Sequence, residues 1–476
     1  MSPLRNERGS IGGLIVLLAL LLVLFVGFQA WSKRKIPMAP RPTPTSTVDP
    51  SFPTLTSERA QVSSDFATPQ PVRIPTSAST SVLNEIHSLL EHGHYSEAEL
   101  KLRALPSDSL NDLAVRMNVA TLWNNLGVGQ AKAAGAAAGL AAYKTAVAIN
   151  PRNAHAYLNL VLAYWELKDP TLTSDMLEEA MRLAPHDPMP HIILAERLIG
   201  QDDLSAANAH LEHARDRSSD SLKAQTYLKE YIAYVEKAKS AEQKFVARES
   251  AHFTVKYDGE EDHAVWTQVL DILEDAYRDI GQQLGYFPRK PILVVLHTRE
   301  RFHDATGGPA WSDGLYDPTL GRIKIPTQGA LTDQAWLTRV LRHEFVHALL
   351  DARMGGRRII PQWLNEGLAM QLAGDPPPDI PALIRGEVTL INLTYLEAPW
   401  SALSPQQAMV AYLEGNSATR YFIDRYGMDR VRDVLDKMAT GQRFAHAFQD
   451  GIFTSYEDFQ RRWIESLNQS MSRVDS

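Results

Sequence analysis

Two histidines four residues apart constrain this chain more than any other feature of its 476 residues. The segment reads His343-Glu344-Phe345-Val346-His347, and side chains at positions i and i+4 share one face when the backbone is helical. On such a face both imidazoles can reach one zinc ion, and Glu344 points toward the coordination position where the metal holds a water. The sequence has no Cys, which excludes disulfides, thiolate zinc sites and iron–sulfur clusters. Any metal must therefore be held by histidines and carboxylates.

A third candidate ligand follows on a second predicted helix. Eighteen residues separate His347 from Glu366, which lies in the segment WLNEGLA. Two imidazoles, one carboxylate and a water make an open tetrahedral catalytic site, whereas a closed structural site needs a fourth protein ligand. The spacing therefore favours a catalytic zinc site over a structural one.

The residues around these motifs predict an α+β domain over 247–470, followed by a short tail at 471–476. Alternating apolar residues in HFTVKYDG indicate a strand, and apolar residues at helical spacing from Val265 to Ile280 indicate an amphipathic helix. PILVVLHT indicates a buried strand, and GLYDPTLGRIKIP a hairpin or an edge strand. The helix that carries the two histidines is predicted over 333–354.

These motifs together resemble the gluzincin metallopeptidases, specifically the peptidase MA-like group. The resemblance rests on HEFVH, the eighteen-residue spacing and NEGLA, and it extends to HFTVKYDG, GLYD…GRIKIP and the tail RYFIDRYGMDRVRDVLDKM. It implies a zincin-like fold and one Zn²⁺ per chain, bound by His343, His347 and Glu366. It also implies that Glu344 is the general base of peptide-bond hydrolysis.

The same resemblance suggests an oxyanion-stabilising tyrosine and shows two departures. Related enzymes place this residue in a Tyr-x-x-Gly segment, which Tyr412 fits, whereas Tyr421 and Tyr426 look like packing residues. The glutamate with which gluzincin aminopeptidases capture the substrate amine is missing from GLYD, so cleavage inside a chain is expected. No carboxylate follows Glu366 by four residues to orient a metal-bound histidine, which leaves Asp351 and Asp375 as candidates.

Residues 82–246 predict a solenoid of helical repeats. Pro151 and Pro185 are 34 residues apart, as are Ala146, Ala180 and Ala214. This period resembles tetratricopeptide repeats, which would bind the protein substrate or a partner protein; a plain helical bundle is the alternative. The histidines of this region are expected to be solvated. They are His155, His186, His191, His210 and His213.

The first 81 residues predict a membrane anchor and a tether. Ile11–Phe28 is an apolar run without a charge, long enough for a transmembrane helix within residues 1–35, with a cleaved signal peptide as the alternative. Residues 36–81 are rich in Pro, Ser and Thr, which predicts an extended tether. The expectation is a single-pass protein of a bacterial inner membrane with its large domains outside the cytoplasm, although Lys33-Arg34-Lys35 favours the opposite orientation. A net charge of −8 argues against nucleic acid as a partner.

The expected architecture is thus a transmembrane helix, an all-α repeat solenoid and an α+β zincin-like domain. The expected function is that of a zinc metallopeptidase whose repeats recruit a substrate or a partner. Two alternatives stay open: an interaction protein with an inactive or structural zinc domain, and a zinc hydrolase that acts on a different bond.

Overall fold

Helices make up most of the part of the chain that the computed structural model describes, together with one small sheet of five strands. The described residues are 81–218, 222–258, 263–298, 302, 314–326, 333–355, 360–374, 390–400 and 403–474. Their contacts divide them into two units. The first lies within Pro50–Arg358 and takes in Ala439–Gly441, and the second lies within Ile359–Met438 and Gln442–Ser476.

The expected architecture needs a correction at this point. The described residues are mostly helical with a small sheet, and none of their helices combines the length and the apolar character needed to cross a bilayer. This finding goes against the predicted transmembrane helix and the single-pass membrane location, so both predictions are withdrawn. The run Ile11–Phe28 itself lies outside the described residues.

The described part of the first unit begins with nine α-helices between Ser81 and Ala241. Four of them begin at an Asp, Asn or Thr whose side chain accepts a hydrogen bond from a backbone amide of the first turn, which satisfies an otherwise unpaired donor. Small alanines at the helix contacts, such as Ala180 and Ala214, are fully buried. The helices are α1 (Ser81–Glu91), α2 (Tyr95–Arg103), α3 (Leu113–Ala134), α4 (Ala136–Ile149), α5 (Ala154–Leu167), α6 (Ser174–Leu183), α7 (Met189–Ile199), α8 (Leu204–Arg217) and α9 (Leu222–Ala241).

A mixed sheet follows, with the strand order β1-β2-β3-β5-β4. β2 pairs with β3, and β3 with β5, in parallel; β1 and β4 pair antiparallel to β2 and β5 at the two edges. The predicted strands at HFTVKYDG, PILVVLHT and GLYDPTLGRIKIP are all present. The strands are β1 (Phe245–Glu249), β2 (Phe253–Asp258), β3 (Ile292–His297), β4 (Leu315–Asp317) and β5 (Arg322–Pro326).

Two long helices complete the first unit. α10 (His263–Leu284) contacts β2, and α11 (Gln334–Met354) contacts β4 and β5 as well as α10. Phe345 of α11 is fully buried, and its ring lies 5.6 Å from that of Phe253 on β2. This apolar contact fixes α11 against the sheet and leaves its other face for the histidines.

A buried charge network joins the helices of the first unit to the sheet. Arg322 of β5 is fully buried and donates from Nη1 to both carboxylate oxygens of Glu242, each at 2.9 Å. It also pairs with Asp202 at 3.2 Å, and Lys256 of β2 pairs with both carboxylates at 2.7 and 2.9 Å. Glu242 and Asp202 belong to residues 81–242, which we call the helical part. Ion pairs as well as apolar packing therefore hold the sheet against the helical part.

The described residues of the second unit form helices and the loops between them, with no strand. Trp363 is fully buried at its centre, stacked near Tyr456 and Phe459, and its indole nitrogen donates to the Tyr456 hydroxyl at 2.9 Å. The helices are α12 (Gln362–Ala373), α13 (Pro405–Tyr426), α14 (Met428–Ala439), α15 (Phe444–Ile452) and α16 (Tyr456–Val474).

Candidate metal centre

Helix α11 carries His343 and His347 as the sequence predicts. The helix begins after Asp333, whose side chain accepts from the Trp336 amide, and it ends at Gly355, whose positive φ of 84° stops the helix without strain. The two imidazoles are half-buried, with ring centroids 4.9 Å apart. The i, i+4 spacing therefore places both rings side by side on one helical face.

Glu344 is held by the edge strand β4. Its side chain is buried, with 8% of its surface exposed, and Oε2 accepts a hydrogen bond of 2.6 Å from the backbone amide of Tyr316. The strand can come this close because Gly314 has no side chain: a Cβ there would lie 2.6 Å from Val340 and 3.2 Å from Glu344 Cγ. Gly314 thus permits a close approach of this strand to α11.

Asp351 supports the same strand from the next turn of α11. Its Oδ2 accepts a hydrogen bond of 2.8 Å from the Tyr316 hydroxyl. Tyr316 therefore bridges two acidic residues of one helix, the first through its backbone and the second through its side chain. Asp375, the other candidate for an orienting carboxylate, lies outside the described residues.

Glu366 lies in the second turn of α12, which begins after Pro361. The carboxylate is 7% exposed, and Oε1 accepts from Gln362 Nε2 at 2.9 Å. The neighbouring Gly367 packs against α13 so closely that a Cβ would collide with Thr419 and lie 2.5 Å from the Gly415 carbonyl oxygen. This close packing fixes the turn that presents Glu366.

The structure brings the three candidate ligands together. One ligand atom from each of His343, His347 and Glu366 lies within 4.8 Å of the others. Two imidazole nitrogens and one carboxylate oxygen are the donors of an open zinc site, with Zn–N near 2.0–2.1 Å and Zn–O near 2.0–2.2 Å. The residues present therefore fit a zinc ion, which would draw the three atoms together.

The remaining tyrosines and histidines of the domain have more ordinary surroundings. The Tyr412 ring is half-buried and meets Trp400 edge to face at 4.8 Å, so its catalytic role stays a prediction. Tyr421 packs against Phe459, and Tyr426 against Phe422, as expected of core residues. Of the histidines without ligand spacing, His297 is buried and His446 is exposed, while His303 lies outside the described residues.

Two contacts of the site were missed by the motif analysis. Gln362 orients Glu366, and its position four residues earlier on a predicted helix was a usable signal. The Tyr316 amide bound to Glu344 left no such signal, because any residue but proline can supply a backbone donor.

Comparison with known proteins agrees with the resemblance seen in the sequence. Residues 275–469 match the model of the Peptidase MA superfamily, whose members are typically zinc-dependent. No curated protein matches the chain significantly. The family match begins within α10, so it does not reach the repeats of residues 82–246, and their tetratricopeptide assignment stays a prediction.

Proposed function

We propose that this chain, whose residues 275–469 form a domain of the Peptidase MA superfamily, is a zinc metallopeptidase that cleaves peptide bonds within protein substrates. The observation that carries the proposal is the convergence of His343, His347 and Glu366, whose ligand atoms lie within 4.8 Å of one another. Three protein ligands leave one coordination position for water or substrate, as catalytic zinc sites require.

The three ligands would hold the ion, and the chemistry divides between the ion and the chain. A zinc ion bound there would lower the pKa of a water ligand to about 7 and polarise a carbonyl oxygen. Glu344 accepts the proton of the attacking water and delivers it to the leaving amine. The hydrogen bond that the Tyr316 amide donates to Oε2 holds the Glu344 carboxylate in position for this proton transfer.

Tyr412 is proposed to stabilise the oxyanion that forms as the water adds to the carbonyl. A hydroxyl donor aimed at the developing charge contributes more in a dry cleft than in water. The half-exposed Tyr412 ring is fixed by its edge-to-face contact with Trp400. Tyr412→Phe keeps that packing and is expected to lower kcat by about 10²-fold.

The helical part is proposed to recruit the protein substrate or a partner. Large apolar side chains on its first helices are exposed: Leu100 to 69%, Leu113 to 60% and Met117 to 50%. Such side chains gain free energy when a partner covers them. Replacing all three with serine should raise KM for a long unfolded protein and leave the cleavage of a short peptide unchanged.

Replacing the general base tests the proposal directly. We expect purified wild type and Glu344→Gln to hold equal zinc, and kcat/KM for an unfolded protein to fall about 10²–10⁴-fold in the variant. Glu457→Gln makes the same chemical change at an exposed site on α16 and should leave both quantities unchanged. Zinc without proteolysis in the wild type would contradict the peptidase and favour the interaction protein or a different scissile bond.

A further inference from the structure

Three histidines of the helical part form a cluster that the sequence analysis did not expect. His191 is a buried residue of α7, and His210 and His213 lie one turn apart on α8. The ring centroid of His191 lies 5.3 Å from that of His210 and 5.2 Å from that of His213, and the last two are 6.3 Å apart. The first two distances are close to the 4.9 Å between the rings of His343 and His347.

The closest contact in this histidine cluster joins two ring nitrogens. Nδ1 of His191 lies 3.0 Å from Nδ1 of His210. Two such nitrogens meet either when one donates a proton to the other or when both direct lone pairs at one cation. Two nitrogens bound tetrahedrally at 2.0–2.1 Å from a metal are about 3.3 Å apart. A metal ion could replace the shared proton once the two rings turn so that both lone pairs point at it.

The third ring must move toward the other two, because the ligand atoms of the three histidines do not all lie within 4.8 Å of one another. His213 is exposed, and residues at positions i and i+3 of a helix are neighbours on one face. Its nitrogen is less well placed than those of His191 and His210, since the three rings are spread more widely than a tight ligand set. A rotamer change at an exposed side chain can close that gap without disturbing the core.

The charge state of the cluster suits a metal. Burial, reinforced by Arg217 and the two neighbouring histidines, lowers the pKa of His191 to about 4. Burial also lowers the pKa of His210. Metal ligation requires unprotonated imidazoles, and a lowered pKa favours that form in both rings. Arg217 donates to the carbonyl oxygens of Pro185 and His213.

We infer that His191, His210 and His213 form a second metal site, which binds a divalent transition-metal ion such as Zn²⁺ and joins α7 to α8. Imidazole ligands favour zinc, nickel and copper over calcium or magnesium. Water completes the coordination on the exposed side of His213. The site stabilises the helical part and takes no part in hydrolysis, so the inference does not depend on the proposed peptidase activity.

Zinc titration of the metal-free full-length protein by calorimetry tests the site. We expect two equivalents of zinc per chain in the wild type. His210→Ala/His213→Ala should bind one equivalent, as should His343→Ala/His347→Ala, because each pair supplies a different site. His155→Ala removes an exposed histidine of the same helical part and should still bind two equivalents.

Two other results of the zinc titration would each decide between the sites. A single equivalent that is lost in His343→Ala/His347→Ala would overturn the second site and leave the proposed catalytic site intact. A single equivalent that is lost only in His210→Ala/His213→Ala would support the second site and overturn the catalytic one. Alanine favours the helix more than histidine does, so α8 should fold in the variant. Zinc should raise the unfolding temperature of His343→Ala/His347→Ala, and an unchanged temperature there would also overturn the inference.

Discussion

The backbone amide of Tyr316 donates a hydrogen bond of 2.6 Å to Oε2 of Glu344. The edge strand β4 and the metal helix α11 are thereby joined at the side chain proposed to move the proton. The Tyr316 hydroxyl makes a second connection, to Asp351 at 2.8 Å. Tyr316 is thus a positioning residue for Glu344, and it needs no contact with substrate to affect the reaction.

Tyr316→Phe tests this positioning role, because it removes the hydroxyl and keeps the amide. A hydrogen bond to a carboxylate contributes about 1.5–3 kcal/mol, so the free energy of unfolding should fall by that amount. We expect kcat to fall by about tenfold with KM little changed, since small displacements of catalytic groups lower rates. Steady-state kinetics and urea unfolding measure both. Tyr395→Phe, at a residue that is 75% exposed, is the matched control. Lost stability with an unaltered kcat would limit Tyr316 to a structural role.

Gly367→Ala should destabilise the second unit. The added Cβ would collide with Thr419 and lie 2.5 Å from the Gly415 carbonyl oxygen, so α12 and α13 must move apart. Overpacking of this kind costs about 1–3 kcal/mol or more. Thermal unfolding would measure the loss. Gly200→Ala is the control, because its nearest neighbours are 3.5 and 3.6 Å away. Equal unfolding temperatures for the two variants would contradict the packing described here.

Breaking the Glu242–Arg322 ion pair should lower the free energy of unfolding. Glu242→Ala leaves the fully buried Arg322 and the neighbouring Lys256 without their shared carboxylate. Loss of one partner from a buried pair costs about 3–5 kcal/mol, which urea unfolding would detect. Glu179→Ala breaks the exposed pair with Arg182 and should leave the unfolding midpoint unchanged. If the two variants unfold alike, the network contributes nothing to stability.

The raised pKa of Glu414 predicts that the free energy of unfolding falls as the pH rises. Burial raises the pKa of this carboxyl from 4.5 to about 8, against the opposing effect of the Ile391 amide. Between these two values the unfolded chain releases the proton while the folded chain retains it. The free energy of unfolding therefore falls by about 1.4 kcal/mol per pH unit as the pH rises through this range.

Glu414→Gln should remove this dependence, since an amide does not titrate. Its stability relative to the wild type should increase from pH 5 to pH 8, measured by urea unfolding at each pH. Gln283→Glu lies on α10 and does not contact this carboxyl. Its stability should keep the part of the pH dependence that Glu414 contributes in the wild type. Parallel stability curves for wild type and Glu414→Gln would show that the carboxyl is already ionised at pH 5.

Local pattern predicted the elements of this fold better than it predicted the contacts between them. The HEFVH helix and the strand of HFTVKYDG follow from side-chain spacing along a single segment, and both are present. Eighteen residues between His347 and Glu366 suggested a shared site, and their ligand atoms do lie close together. Spacing suffices here because each ligand lies on a strongly patterned helix.

Contacts between distant segments could not be predicted in the same way. His191 and His210 lie on different helices, and their meeting depends on how α7 and α8 pack. Arg322 and Asp202 are 120 positions apart, and the local sequence around either residue does not predict their contact. The prediction that the histidines of the repeats are solvated was therefore wrong for His191. This residue is buried because the helices pack around it.

The ionic connection between β5 and the helical part has a consequence for a nicked chain. A protease that cuts between Glu242 and Phe245 would sever the backbone and leave Arg322 and Lys256 bonded to Glu242 and Asp202. Separation of the fragments would expose buried apolar surface to water. It would also break the ion pairs among the four charged side chains, and both changes oppose separation. The cut protein should migrate as one particle under native conditions and as two fragments only after denaturation.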